Sequence, residues 1–291
     1  MIIEDFLYGK YEFKQPVMID LINSKTVQRL KQISQYGVPE KYYDRKSFSR
    51  FDHDVGVAIL LDKYGASLSE VVAGVLHDIS HTAFSHVVDA AMNNEKESFQ
   101  DEVLHEFILS KEISSILSNY SYNAEDFLDL SKYPLLEKEL PELCADRLDY
   151  SLRQLAWEGK DDLVKKILGD LIVFENSFCF KTRETAELFA ASFSDLNENH
   201  WVSEFNRSRY YLLGKAISLC LDKKIISKKD LFSTDLEVLA KIEASSDPEV
   251  KAIIKLLEDK VVVKNNLKKK QRIVDPSFVD SGKLVKLSRV D

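Results

Sequence analysis

A chain of 291 residues, 45% apolar and 30% charged, has ample material for a core and is too apolar to be disordered. No stretch approaches the roughly 20 apolar residues that span a bilayer, and Met1-Ile-Ile-Glu-Asp5 lacks the basic start and apolar middle of a secretion signal. The formal net charge of −8 opposes wholesale nucleic-acid binding. Cys144, Cys179 and Cys220, widely spaced, form no disulfide framework and fit a cytoplasmic protein.

Taken in chain order, Val27, Leu30 and Ile33 recur at helical spacing, predicting a helix over 24–33 capped by Asn23 or Ser24 and ended by Gly37 and Pro39. A second helix is predicted over 51–61. Ser69 and Glu70 open a very apolar segment, 71–79, that reads as a buried helix. After a turn with Ser80 and His81, another segment covers 84–92. Residues 93–100 read as loop and 101–117 as helix, and a helix from Pro141 to Trp157 is expected to carry Cys144.

Two β-prone runs flank Glu175-Asn-Ser177, which predicts a hairpin over 171–181. Helices are expected over 183–221 and 235–257, broken at Asp247-Pro248, then short strands at 261–263, 272–274 and 283–287. The basic run Lys264–Arg272 reads as solvated surface, with a phosphate or nucleic-acid contact as the alternative. No internal repeat is visible. The fold class expected is mainly α: a helical bundle with a small β-hairpin and a few short C-terminal strands. A catalytic core over 1–160 would carry a helical extension over 161–291, packed on it as one unit.

Four of the six histidines lie between positions 53 and 86. His77 and Asp78 are adjacent at the end of an apolar helix. A buried ionised carboxylate is costly without a partner, and a bound cation supplies one. Alone, such a pair reads as a helix cap or a hydrogen-bonded core pair. Two further blocks change that reading: His53 follows Arg50-Phe51-Asp52, and Asp146 opens Asp146-Arg-Leu-Asp-Tyr-Ser-Leu-Arg153. Imidazoles with carboxylates suit Mn, Fe, Zn or Mg-type chemistry.

This ordered H…HD…D pattern resembles the HD-domain phosphohydrolases, and among them the deoxynucleoside-triphosphate triphosphohydrolase branch. The resemblance runs from about Asp5 to Trp157. It rests on Val27–Gly37, Ser49–Val57, Leu76-His-Asp-Ile-Ser-His-Thr-Ala-Phe-Ser-His86 and Ala145–Arg153. It implies a divalent metal (Mn, Mg, Fe, Zn, Ni or Co) on His53, His77, Asp78 and Asp146, with His81 and His86 catalytic near the scissile phosphate. Arg50 and Arg147 would reach phosphates, Tyr150 would pack on a sugar, and Gln35 would contact the nucleoside. For His81 and His86 a helix cap or backbone hydrogen bond is the competing role, and for Arg147 a salt bridge. His105 and His200 read as surface or packing residues, and Asp149 with Arg153 as an i,i+4 ion pair.

Two departures from the branch stand out. Gln154 occupies the place of an acid that contacts the sugar hydroxyl, and Phe99-Gln100 stands where the branch has a His-Glu pair. The resemblance implies a metal-dependent phosphohydrolase acting on (deoxy)nucleoside triphosphates through a metal-activated water. The other readings are a phosphatase or phosphodiesterase on another phosphoester, and a non-catalytic nucleotide-binding regulatory module. The partners expected are a nucleotide or other phosphoester substrate and a second copy in a homo-oligomer, with neither membrane nor nucleic acid.

Overall fold

Capping side chains set most helix starts. Ser24, Ser49, Ser67, Ser110, Thr182, Ser203, Thr234 and Asp247 each accept a backbone N–H from the first turn that follows. At Ser49 the exchange is reciprocal, because the Asp52 carboxylate takes the Ser49 N–H in return.

The computed structural model describes every residue except Asp44, Glu95, Glu97 and Asp291. The described chain is mainly α-helical. A hairpin of β1 (Ile2–Asp5) and β2 (Gly9–Glu12) precedes α1 (Pro16–Asn23), α2 (Lys25–Arg29), α3 (Arg50–Lys63) and α4 (Leu68–Leu76). Then come α5 (Val87–Ala91), α6 (Phe99–Ile108), α7 (Lys111–Asn119), α8 (Ala145–Trp157) and α9 (Asp161–Asp170). After β3 (Leu171–Phe174) and β4 (Ser177–Phe180) the chain forms α10 (Arg183–Leu196), α11 (Glu204–Asp222), α12 (Asp235–Glu243) and α13 (Pro248–Glu258). It ends with β5 (Ser277–Asp280) and β6 (Lys283–Lys286). Strands β3 to β6 form one sheet in that order, antiparallel within each hairpin and parallel where β4 meets β5 at Phe180 and Phe278. Among the described residues no helix is long and apolar enough to cross a membrane.

The mainly helical class and the hairpin at 171–181 are as expected, and several boundaries are not. The predicted helix from Pro141 begins only at Ala145, because Cys144 is extended (φ −146°, ψ 166°). The long 101–117 and 183–221 helices are each interrupted. Ser110 starts a fresh helix, and a π-helical turn at Asn197–Trp201 precedes Ser203, which starts another. Residues 261–263 and 272–274 are not strands. Their short runs of valine and isoleucine carry strand propensity, but the Val263 N–H goes to Ser208 of α11, and Asp275, just past the second run, bonds the Pro141 carbonyl. The hairpin of β1 and β2 and the strand β5 carry too little apolar alternation to be read beforehand.

The core is centred on α3 and α4. Every residue from Val55 to Leu61 and from Val71 to Leu76 is buried, as a helix apolar all round requires. Helix α3 packs on both α4 and α8, while α11 covers α5 and α13. Buried Glu70 at the start of α4 accepts the N–H groups of Leu135 (2.6 Å) and Leu136 (3.1 Å), which fastens the loop that leads into α8.

Candidate metal centre

Helix α3 brings His53 to the centre, fully buried against α8. Its Nδ1 lies 2.8 Å from Asp149 Oδ2. A carboxylate only accepts, so Nδ1 carries the proton and Nε2 faces inward. There Nε2 is 2.9 Å from Asp146 Oδ1 and 4.0 Å from Asp78 Oδ2. The last turn of α4 places His77 in the same way: Nδ1 donates to the Gly74 carbonyl at 2.8 Å. The buried His77 Nε2 has no hydrogen-bond partner, lying 3.7 Å from Asp146 Oδ1 and 3.8 Å from Asp78 Oδ2. These gaps are too long for hydrogen bonds and suit a cation between the atoms.

Asp54, next to His53, is fully buried with both carboxylate oxygens unpartnered. Ligand atoms of His53, Asp54, His77 and Asp78 all lie within 4.8 Å of one another, a set able to chelate a divalent cation. Glu137, Cys144 and Asp146 form a second such group, so Asp146 stands between the loop before α8 and the histidines. Sequence reasoning overlooked Asp54 and Glu137. The signal for Asp54 was an acid directly before the buried run Val55–Leu61 of α3.

Electrostatics follow the geometry. Burial disfavours the charged imidazole of His53, yet its bonds to Asp146 and Asp149 outweigh burial and push its pKa up to about 9. His77 is raised too, its burial overcome by Asp78 and Asp146. Asp78 resists burial and stays well below the usual carboxylate range because Arg50, His81 and His77 face it. Asp54, by contrast, is raised by burial and by Asp78. Glu137 is pushed up to about 7 by burial and Asp146.

A pH prediction follows for protein stripped of divalent cations. His53 titrates at about 9 folded against 6.5 in the reference state, so its stabilising protonation is complete below about 6.5 and is lost as pH rises through about 9. Calorimetry should show the melting temperature falling between these limits after chelation. Added Mn²⁺ should offset that fall, since metal binding needs the neutral imidazole. A melting temperature that rises with pH in the chelated protein would contradict this reading.

The remaining anticipated residues fall around this centre. His81 is buried with Nε2 3.4 Å from Asp78 Oδ1, and burial and Arg50 lower its pKa to about 3, which keeps it neutral. His86 stacks edge-on to His81 at 5.0 Å, its side chain 28% exposed. Its Nδ1 is 3.1 Å from Asp89, whose other oxygen accepts the Phe99 N–H at 3.0 Å. Phe99 therefore takes part through its backbone, and Asp89 is a partner that the sequence reading did not name.

Both arginines have partners within the protein. Arg50 is paired with Asp78 and donates to Ser85 Oγ at 3.2 Å. Arg147 donates to the Glu142 carbonyl, to the Lys138 carbonyl at 3.1 Å and to Cys144 Sγ at 3.2 Å. The expected Asp149–Arg153 pair forms at 3.0 Å, with Asp5 as a second partner at 3.1 Å. Gly56 has to be glycine here, because a Cβ would overlap Arg153 Nη2 and Asp149 Oδ1. His105 is exposed, and His200 is buried against the Tyr43 hydroxyl at 2.7 Å.

Tyr150 lies 6.3 Å from the His53 ring and forms an aromatic wall with Trp201 (5.3 Å) and Phe193 (6.4 Å). Trp201 comes from the π-helical turn, a register no periodicity argument would have found. Gln35 and Gln154 each keep a buried amide oxygen without a partner, while Gln154 Nε2 donates to Glu158 at 2.9 Å.

Comparison with known proteins places this geometry. Residues 50–167 match the HD domain family model. The chain is 36% identical to the uncharacterized protein YdhJ of Bacillus subtilis, over all of this chain and 92% of that one. It is 30% identical to the metal-dependent phosphohydrolase cns2 of Cordyceps militaris, over 89% of this chain and 77% of that protein. A deoxynucleoside triphosphate triphosphohydrolase SAMHD1 homolog of Dictyostelium discoideum is 22% identical over 97% of this chain and 62% of its own length. With a chelating His/Asp cluster at its centre, the chain belongs to the HD-domain metal-dependent phosphohydrolase superfamily and carries the catalytic machinery of that superfamily.

Proposed function

We propose that the protein hydrolyses (deoxy)nucleoside triphosphates, with His53, His77, Asp78 and Asp146 holding the divalent cation. The observation that carries the ligand assignment is the buried, unpartnered Nε2 of His77, set between two carboxylates at distances that no hydrogen bond explains. A cation bound there supplies Lewis acidity and a water of lowered pKa.

The chain's own groups do the rest. Asp149 and the Gly74 carbonyl engage the Nδ1 atoms of His53 and His77, so the proton that a cation displaces is the one on Nε2, which then turns its lone pair to the centre. Asp89 holds His86, the more exposed imidazole of the pair, in position to pass a proton to a leaving oxygen. Tyr150 and Trp201 offer a ring face to a sugar or base. The free amide oxygens of Gln35 and Gln154 can accept from hydroxyl or amino groups. Support for a nucleotide comes from this aromatic wall, from the four sequence blocks and from the similarity to the Dictyostelium enzyme.

A second reading, hydrolysis of another phosphoester, is favoured by Gln154. This neutral amide is tied through Nε2 to Glu158, where the nucleotide branch has an acid. Assays of dNTPs, NTPs, monophosphates and cyclic nucleotides with Mn²⁺, Mg²⁺, Co²⁺ and Ni²⁺ separate the two. Release of intact triphosphate from a dNTP supports the first reading, and turnover of monoesters alone overturns it.

A further inference from the structure

Between α13 and β5 the chain from Val261 to Pro276 forms neither helix nor strand. It is nevertheless pinned at both ends. Near its start, Ser208 Oγ on α11 accepts the Val263 N–H at 2.9 Å, and Arg209 donates to the Val261 carbonyl. Arg207 holds the Leu267 carbonyl at 3.1 Å. At the far end, the Asp275 N–H bonds the Pro141 carbonyl at 2.9 Å, and Lys286 pairs with Glu142 at 2.6 Å.

In sequence these anchors lie near two parts of the centre. Helix α11 opens three residues after Trp201, and Pro141 lies five residues before Asp146. The strap therefore runs from α11, the helix that follows Trp201, to the loop that delivers Asp146. Arg272 comes close enough to Tyr150 to interact with it electrostatically.

The strap is also the basic run of the sequence. Lys264, Lys268, Lys269, Lys270 and Arg272 fall within nine residues, and no acid lies between Asp259 and Asp275. All four lysines are exposed, while Val263, Asn265 and Leu267 alternate with exposed neighbours and are half-buried. Lys268, Lys270 and Arg272 have contacts within the molecule as well. The two arginines beside the metal centre are meanwhile engaged by Asp78 and by the carbonyls of residues 138 and 142. Phosphates extending beyond the reacting one need cations from elsewhere.

We propose that the strap Val261–Pro276 is the polyphosphate-binding roof of the site, holding the phosphates distal to the scissile bond through its lysines. The proposal rests on the phosphohydrolase reading for its substrate, but its test reads binding rather than turnover. The probe is inorganic tripolyphosphate titrated calorimetrically into the full-length, Mn²⁺-loaded protein at several salt concentrations. Replacing Lys264, Lys268, Lys269 and Lys270 by Gln should weaken binding on the order of tenfold at low salt and flatten its salt dependence. The corresponding Lys→Arg protein should bind as wild type, which separates loss of charge from loss of fold.

Unchanged tripolyphosphate affinity in the Gln variant overturns the proposal. So does an unchanged tripolyphosphate affinity together with a lost affinity for single-stranded oligonucleotide, which would make the strap a nucleic-acid surface. If the wild type binds tripolyphosphate through the strap yet turns over no phosphoester, the roof stands and the catalytic reading falls.

Discussion

His77→Ala protein is expected to lose its divalent cation and its turnover while keeping its fold. Inside the chain the His77 imidazole makes one hydrogen bond, to the Gly74 carbonyl of its own helix, and its Nε2 has none. Deleting it leaves Asp78 paired with Arg50 and Asp146 bonded to His53. The loss should therefore be confined to the cation and to the several kcal/mol of transition-state stabilisation such an ion provides, about 10³-fold in rate or more. Asp78→Ala should cost the same activity and stability besides. Arg50 is buried against Asp78, and stranding a buried guanidinium costs about 3–5 kcal/mol, on the order of 10 °C in melting temperature. Elemental analysis with thermal melts of both proteins tests this. An equal loss of stability in the two variants, or full metal content in His77→Ala, contradicts the assignment.

The second large effect is expected at Arg153, far from any substrate. Its guanidinium is 1% exposed and bridges Asp149 and Asp5, both buried. Arg153→Met leaves those carboxylates without their cation, at a cost of about 3–5 kcal/mol. It also loosens Asp149, which orients His53, so cation affinity should fall about 10–100-fold. Arg153→Met combined with Asp149→Leu removes the stranded charge along with its partner. Stability should then recover in part while cation affinity does not. If both recover together, Asp149 is a structural residue without influence on His53.

The four proposed ligands were read in the sequence from the H…HD…D resemblance, with one physical signal beside it. Polar residues inside apolar helices, such as His77 and Asp78 after Val71–Leu76, need a partner, and three separated blocks offered compatible ones. The Asp149–Arg153 pair was legible from spacing, but its attachment to His53 was not, because contact between α3 and α8 is a tertiary fact. Asp89 was hidden for the same reason, since its bond to the Phe99 amide joins segments with no shared periodicity. The strap misled in a different way. Val261–Val263 carries strand propensity, but hydrogen bonds to α11 decide its conformation. Arg50 and Arg147, given phosphate contacts by resemblance, have internal partners that no sequence pattern announced. Both lie beside proposed ligands in sequence, and both are consumed within the protein.

Gly56 carries one more consequence. Its missing side chain is the space that Arg153 and Asp149 occupy, one turn of α3 beyond His53. Positions 56, 149 and 153, nearly a hundred residues apart, thus form a single unit of inheritance. A lineage can exchange the glycine for a larger residue only by giving up the arginine–aspartate pair, and with it the present way of aiming His53. In any collection of related chains, substitutions at these three positions should arrive together or not at all.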